Sequence, residues 1–230
     1  MSSKTSNDFR PKKSTTKPIL IITLGFIVAL AIALGLSNQL INTTTSVIDS
    51  ASEDVLHTKG TPRGPQNAAL KLSEFGDYQC PACQRYQQIL NKLFQLYPNE
   101  VQLEFHHFPL MSIHPAALAA AKAAESAREQ GRFWEMHELL FKNQTSWAET
   151  ENPETLFLTL AAQLGLDQNE FMRSMRSTTI QARILDDVKR ARELGIASVP
   201  AFFVEGLPID LPEDVEGFEA LVREAIKRRQ

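Results

Sequence analysis

Apolar positions run almost unbroken from Ile19 to Leu36, crowd into short stretches at Ala69–Phe75 and Val101–Phe108, and recur at helical spacing through most of the remainder. The two short stretches read as core strands. Between them Tyr86, Ile89, Leu90, Leu93 and Tyr97 repeat every three to four residues, predicting a helix from about Pro81 to Leu96 with proline at its tolerated first position. A turn at Gly76-Asp77 separates the first strand from this helix, so the segment is a βαβ unit.

From Pro115 to about Leu194 the pattern is helical throughout. Ala116–Gln130 is alanine-rich and stops at Gly131, and Phe133–Phe141 comes next. Asn152-Pro153 reads as the cap and first turn of a helix carrying Leu156, Phe157, Leu160, Ala161 and Leu164. Asp167 with Glu170 has the spacing of a capping box, and Thr179–Leu194 forms one more helix. The chain then returns to strand: Ala201–Val204, a Glu205-Gly206 turn and Leu207–Ile209 predict a hairpin, and Phe218, Leu221, Val222, Ala225 and Ile226 a closing amphipathic helix. The order β-α-β, helical block, β-β-α predicts an α/β fold with a helical insertion at about 110–195.

The first apolar run is of a different kind. Its 18 uncharged residues, at 1.5 Å each, nearly cross a hydrocarbon core about 30 Å thick. Lys4, Arg10, Lys12, Lys13 and Lys17 precede it against Asp8 alone, a bias that keeps this end in the cytoplasm and exports the chain beyond Leu36. Residues 1–17 are therefore expected to be a cytoplasmic basic tail and 18–37 a single transmembrane anchor. Residues 38–66, rich in Thr, Ser, Asn, Gly and Pro, are expected to be a linker that could include a short packed strand or helix. A cleaved signal peptide, leaving a secreted or periplasmic protein, is the rival; its apolar region is ordinarily only about 7–15 residues. Of 24 basic and 27 acidic residues the tail takes five and one, leaving 19 against 26 and a balance of −7 beyond it. Nucleic acid is excluded as a partner on that balance, because such binding rests on positive surface.

Cys80 and Cys83, the only cysteines, stand in Cys80-Pro81-Ala82-Cys83 at the junction of first strand and first helix. A bridge closing so short a loop removes little unfolded-state entropy, so scaffolding is a poor account of the pair. Zinc needs about four N or S ligands, and no second cysteine pair exists. A helix start, by contrast, offers unpaired N–H groups that favour a thiolate, the form that attacks disulfides. The pattern predicts a redox dithiol, with Cys80 the exposed nucleophile and Cys83 its buried partner. An exported location supplies the oxidising compartment in which such a pair rests as a disulfide.

With these features the chain resembles the thioredoxin superfamily, and within it the DsbA-like thiol:disulfide oxidoreductases of the membrane-anchored bacterial type. Cys80-Pro81-Ala82-Cys83, Ser198-Val199-Pro200 entering a late strand, and Glu74 six residues before Cys80 carry the resemblance over about Asn67–Arg229. Glu104-Phe105-His106-His107-Phe108-Pro109 and Gly131-Arg132-Phe133-Trp134-Glu135-Met136-His137 add to it. The resemblance implies a thioredoxin-like fold with an inserted helical subdomain behind one transmembrane helix. It also implies a cis bond at Val199-Pro200 facing the cysteines, and a buried Glu74 that passes a proton to or from Cys83. Pro81, Ala82 and Val199 would lie along the incoming peptide. The implied activity is oxidation of cysteine pairs in exported polypeptides by a monomer without cofactor, re-oxidised by a quinone-linked membrane protein. Where well-studied oxidants of the family have histidine, this chain has Ala82, which implies a less acidic Cys80 and a couple between thioredoxin, about −270 mV, and DsbA, about −120 mV.

Two other readings stay open at this point. One is a reductase or isomerase on the same scaffold, although only about 28 linker residues stand where isomerases commonly add a dimerisation domain. The other is a metal-binding or chaperone module using the cysteines with a histidine. His57, His106, His107, His114 and His137 otherwise read as surface, strand-end or helix-start residues.

Overall fold

A computed structural model describes residues 60–229. The basic tail, the apolar run and linker residues 38–59 lie outside the described residues, as does His57. Among the described residues no helix is long and apolar enough to cross a membrane.

Strand β1 (Thr61–Arg63) takes up part of the segment read as linker, and β2 (Leu70–Gly76), helix α1 (Pro81–Leu96) and β3 (Val101–His107) complete the βαβ unit. Six helices come next: α2 (Ala117–Arg128), α3 (Phe133–Lys142), α4 (Gln144–Trp147), α5 (Glu154–Gln163), α6 (Gln168–Met175) and α7 (Thr178–Glu193). Strands β4 (Ala201–Val204) and β5 (Leu207–Pro208) and helix α8 (Val215–Lys227) close the domain. The sheet order is β1-β3-β2-β4-β5, with β2 and β3 parallel and the other pairs antiparallel. The β4–β5 hairpin turns on Glu205 and Gly206 at φ 50° and 80°, the left-handed pair that a two-residue hairpin needs.

The register decides which residues meet. Glu74 pairs with Phe105 of β3 and Phe202 of β4, so it shares a face with Leu70, Leu72 and Leu103, which α1 and α8 cover with Leu90, Leu93, Phe218 and Val222. Phe75 and Phe203 face the other way, onto Val188 and Ala191 of α7. Because both faces of β2 are covered, strand parity does not bring Glu74 to solvent; it is 1% exposed.

The helical block has its own core around Met136, Trp147, Phe157 and Phe171, which also takes in Tyr78, Cys80, Cys83 and Phe105. The cysteines therefore sit on the seam between sheet and block. Local signals set the helix limits. Gly131, at φ 72°, ends α2, and the next N–H, of Arg132, reaches back to the carbonyl of Ala127. Asp167 accepts from the Glu170 N–H at the start of α6. The cap of α5 is Pro153 with no side-chain acceptor, so Asn152 does not play the capping role its sequence suggests.

Candidate active site

Cys80 is the N-cap of α1, with extended backbone at φ −76° and ψ 122°. Pro81 occupies the first turn, and that turn holds no acidic residue, so its free N–H groups are left to a sulfur. Both thiols are free. A hydrogen bond from the Cys83 thiol, joined by the N–H groups of Cys83 and Ala82, brings the Cys80 thiol down from 9 to about 6, against its own burial and the charge of Asp77. Burial first, then the hydrogen bond to Cys80 and the charge of Glu74, pushes Cys83 well above its ordinary value. Two thiols one turn apart are thus tuned in opposite directions. Cys80 is 8% exposed and Cys83 fully buried. Cys80 is therefore not the exposed residue the sequence predicts, only the less deeply buried of the two, because the helical block packs against the loop.

The Val199-Pro200 bond is cis, and the Val199 carbonyl oxygen lies 3.8 Å from the Cys80 sulfur, close enough to accept its thiol. Pro200 is buried, Val199 and Ala82 are half-buried, and Pro81 is exposed at the mouth of the site. Glu74 lies below the dithiol on β2. Burial raises its carboxyl from 4.5 to about 8, and its Oε2 is buried without a hydrogen-bond partner. It is therefore protonated at neutral pH, an acid stored in an apolar layer.

The loop between Gly76 and Cys80 carries residues that the sequence patterns do not single out. Asp77 donates its N–H to the Cys83 sulfur at 3.5 Å, while its carboxylate accepts from Gln79 N–H at 2.7 Å, Leu110 N–H at 2.8 Å and His114 Nδ1 at 2.7 Å. Gln79 fastens the loop to the helical block: its Nε2 donates to the Ala148 carbonyl and its Oε1 accepts the Ala116 N–H, each at 2.8 Å. Gln144 of α4 donates to the carbonyls of Tyr78 and Cys80. Asp77-x-Gln79 is the only local signal, since an Asp two residues before an N–H is a common turn acceptor.

Of the histidines, His137 departs most from expectation. His106 is buried, stacks on Phe75 at 4.7 Å and pairs with Asp187 at 3.4 Å. His107 bonds Glu125 at 3.2 Å, and Arg128 and Arg183 reach the same carboxylate. His137, in the middle of α3, lies between Tyr78 Oη at 2.9 Å and Gln87 Oε1 at 3.0 Å. His106 and His107 do end strand β3 as expected, but they are buried there because β3 is covered on both faces, and His137 lies inside α3, which packs over the Tyr78 end of the loop. Only His114 stands at a helix start as expected, and there it is engaged by Asp77. Among the described residues no group of three or more His, Cys, Asp or Glu is placed to hold a metal.

The family model described as thioredoxin matches residues 57–224. The chain is 34% identical over 163 residues to the Na(+)/H(+) antiporter NhaA 3 of Salinispora tropica, a likeness spanning 71% of this chain but only about a quarter, 24%, of the antiporter. It is 26% identical over 199 residues to a protein of Bacillus anthracis named probable disulfide bond formation protein D, covering 84% of this chain and 90% of that one. In three dimensions it is similar to the thiol-disulfide exchange protein alpha-DsbA2 of Wolbachia pipientis, with a TM-score of 0.67 at 19% identity over 80% of this chain and 96% of that chain.

Proposed function

The chain belongs to the thioredoxin family, and from that premise we propose that it is a DsbA-like thiol:disulfide oxidoreductase that oxidises cysteine pairs in exported polypeptides outside the cytoplasm. The observation that carries the reading is the division between two adjacent thiols: Cys80 near 6 at a helix start, and Cys83 buried above Glu74 and held well above its ordinary value. Such a pair suits exchange, since the stabilised thiolate is both the better leaving group and the less buried of the two sulfurs. The antiporter likeness spans about a quarter of that protein, and no transport activity is carried over from it.

In the working cycle a substrate thiolate attacks Cys80 of the Cys80–Cys83 disulfide, and the two electrons of the breaking S–S bond leave on Cys83. Glu74, neutral at pH 7, supplies the proton that Cys83 takes up. A second substrate thiolate then attacks the substrate sulfur of the mixed disulfide and releases Cys80 as a thiolate. The substrate leaves oxidised and the protein reduced, so an oxidant must restore it; a quinone-linked membrane protein is the partner of that chemistry. Val199, Pro200, Pro81 and Ala82 border the reacting sulfur, and Met111 and Ile113 stand 42% and 67% exposed on the loop that Asp77 fastens, an apolar surface suited to an unfolded chain.

Oxidation as the direction is supported by the name of the Bacillus anthracis relative and by a Cys80 between the pKa of about 7 in thioredoxin and about 3.5 in DsbA. Equilibration of the full chain with glutathione decides it. A potential above about −200 mV, with stoichiometric oxidation of a reduced unfolded ribonuclease, supports the oxidase; a potential near −270 mV with rapid insulin reduction makes it a reductase. Fractionation with membranes, retaining Met1–Leu36 and leaving Cys80 open to an impermeant thiol reagent on the outer side, is the expected location. A soluble form beginning near Asn38 would establish a cleaved signal instead.

A further inference from the structure

The geometry points to His114 as a positioning residue for the dithiol: by clamping the carboxylate of Asp77 it keeps the Asp77 N–H on the Cys83 sulfur and screens from Cys80 a negative charge lodged beside it. This deepens the exchange reading above, on which it rests.

The Asp77 side chain is 0% exposed, and three donors reach its two oxygens. Two are main-chain N–H groups, of Gln79 and Leu110. The third, His114 Nδ1, is the only side chain among them. Asp77 also closes the turn into the helix, its carbonyl accepting the Cys80 N–H at 3.1 Å. One residue therefore touches the environment of both sulfurs, with its N–H on Cys83 and its charge opposing a thiolate on Cys80. The ionisable groups facing this turn are the two thiols and His114, with Glu74 acting on Cys83 from the sheet below. The two acids beside the dithiol are handled differently: Glu74 by burial with one oxygen unpartnered, Asp77 by saturation with donors. His114 is itself fixed, its N–H on the Leu110 carbonyl at 2.9 Å and its carbonyl accepting from Ala117 at the start of α2. The clamp thus ties the Cys80 loop to the first helix of the inserted block across 37 positions of sequence.

The test compares the full chain with His114→Leu, His114→Asn, Asp77→Asn and the His114→Leu/Asp77→Asn double variant. Thiolate absorbance and iodoacetamide rate give the titration of Cys80, and circular dichroism reports the fold. Leucine removes the donor without opening the hole to water, whereas asparagine places an N–H₂ where Nδ1 stood. A half- to one-unit rise in the titration midpoint, the scale of a nearby charge, lowers the Cys80 thiolate fraction at pH 6 about two- to fivefold in His114→Leu. His114→Asn should return most of it. Asp77→Asn should move the midpoint the other way, raising the thiolate fraction at pH 5 about three- to fivefold, and the double variant should match Asp77→Asn alone. A merely structural His114 would shift both single variants in one direction. That result, or a parent-like titration in a folded His114→Leu, overturns the assignment. If Asp77→Asn fails to fold, the contrast between leucine and asparagine at 114 decides. Loss of thiol exchange in a parent whose Cys80 titration obeys these shifts would sink the enzyme reading and leave the positioning role intact.

Discussion

The sulfur of Cys80 lies 3.8 Å from the carbonyl oxygen of Val199, across 119 positions of sequence. On the exchange reading proposed above, a polypeptide that delivers a sulfur to Cys80 is expected to pass beside the Ser198–Pro200 segment, whose Val199 carbonyl lies against that sulfur.

The two thiols should separate cleanly in chemistry. Cys83→Ala keeps the attacking sulfur but removes its means of escape, so mixed disulfides with exported proteins should accumulate through Cys80, and Cys80→Ala should trap almost none. At pH 6, with Cys80 titrating near 6 and Cys83 far higher and buried, alkylation of the reduced protein should modify Cys80 at least tenfold faster. Mass mapping of the alkylated peptides checks this, and trapping mainly through Cys83 would reverse the assignment.

Glu74→Gln should slow turnover at neutral pH and stabilise the fold. The unfolded chain gives up this proton near pH 4.5 and the folded one at about 8, so folding holds extra protons in that window and stability falls as pH rises through it. At pH 7 the cost is about 3 kcal/mol. Denaturation curves should show the glutamine variant more stable at pH 7, with the gap closing toward pH 4.5; a constant gap would mean that Glu74 ionises normally.

Glu125→Gln should act in the opposite sense. Burial alone would raise this carboxyl, yet bonds from His107 and Arg183 and the charge of Arg128 hold it at about 2, from 4.5. Its stabilisation is complete above pH 4.5 and is lost as pH falls toward 2, about 3 kcal/mol in all. The variant should lose about that much at pH 7 and show a flatter acid limb in thermal melts between pH 2 and 4.5.

Tyr78→Phe removes the hydroxyl that satisfies His137 Nδ1 in a fully buried position. An orphaned buried acceptor costs about 1–3 kcal/mol. Burial, then the charges of Arg63 and His107, already depresses the His137 pKa, so stability falls as pH drops below about 6.5, where the unfolded histidine takes a proton. The phenylalanine variant should unfold at lower denaturant with that pH trend retained; an unchanged midpoint at pH 7 would falsify the bond's importance.

Elements with strong periodicity are legible in the sequence alone. Tyr86, Leu90 and Leu93 mark the buried face of α1, and Asp167 and Gly131 mark helix ends through local chemistry. The cysteines are legible from their spacing at a strand-to-helix junction, whereas Glu74 is legible only through the family resemblance. Asp77, His114, Gln79 and Gln144 are not legible, because their roles arise where the β2–α1 loop meets segments 33 to 69 residues away. His137 misleads because an amphipathic helix shows which positions are buried only once its partners are placed. The four-residue α4 is too short to leave a periodic signature.

Gln79 and Gln144 give a final consequence. The segment bearing the nucleophile is braced not by the strand ladder beneath it but by amide side chains reaching in from, or out to, the inserted helices. Its stiffness is therefore borrowed from the block. A docking event on those helices would be felt at the sulfur as a change in aim, and exchange of the block between related proteins would retune the reactive cysteine without altering a residue of its motif.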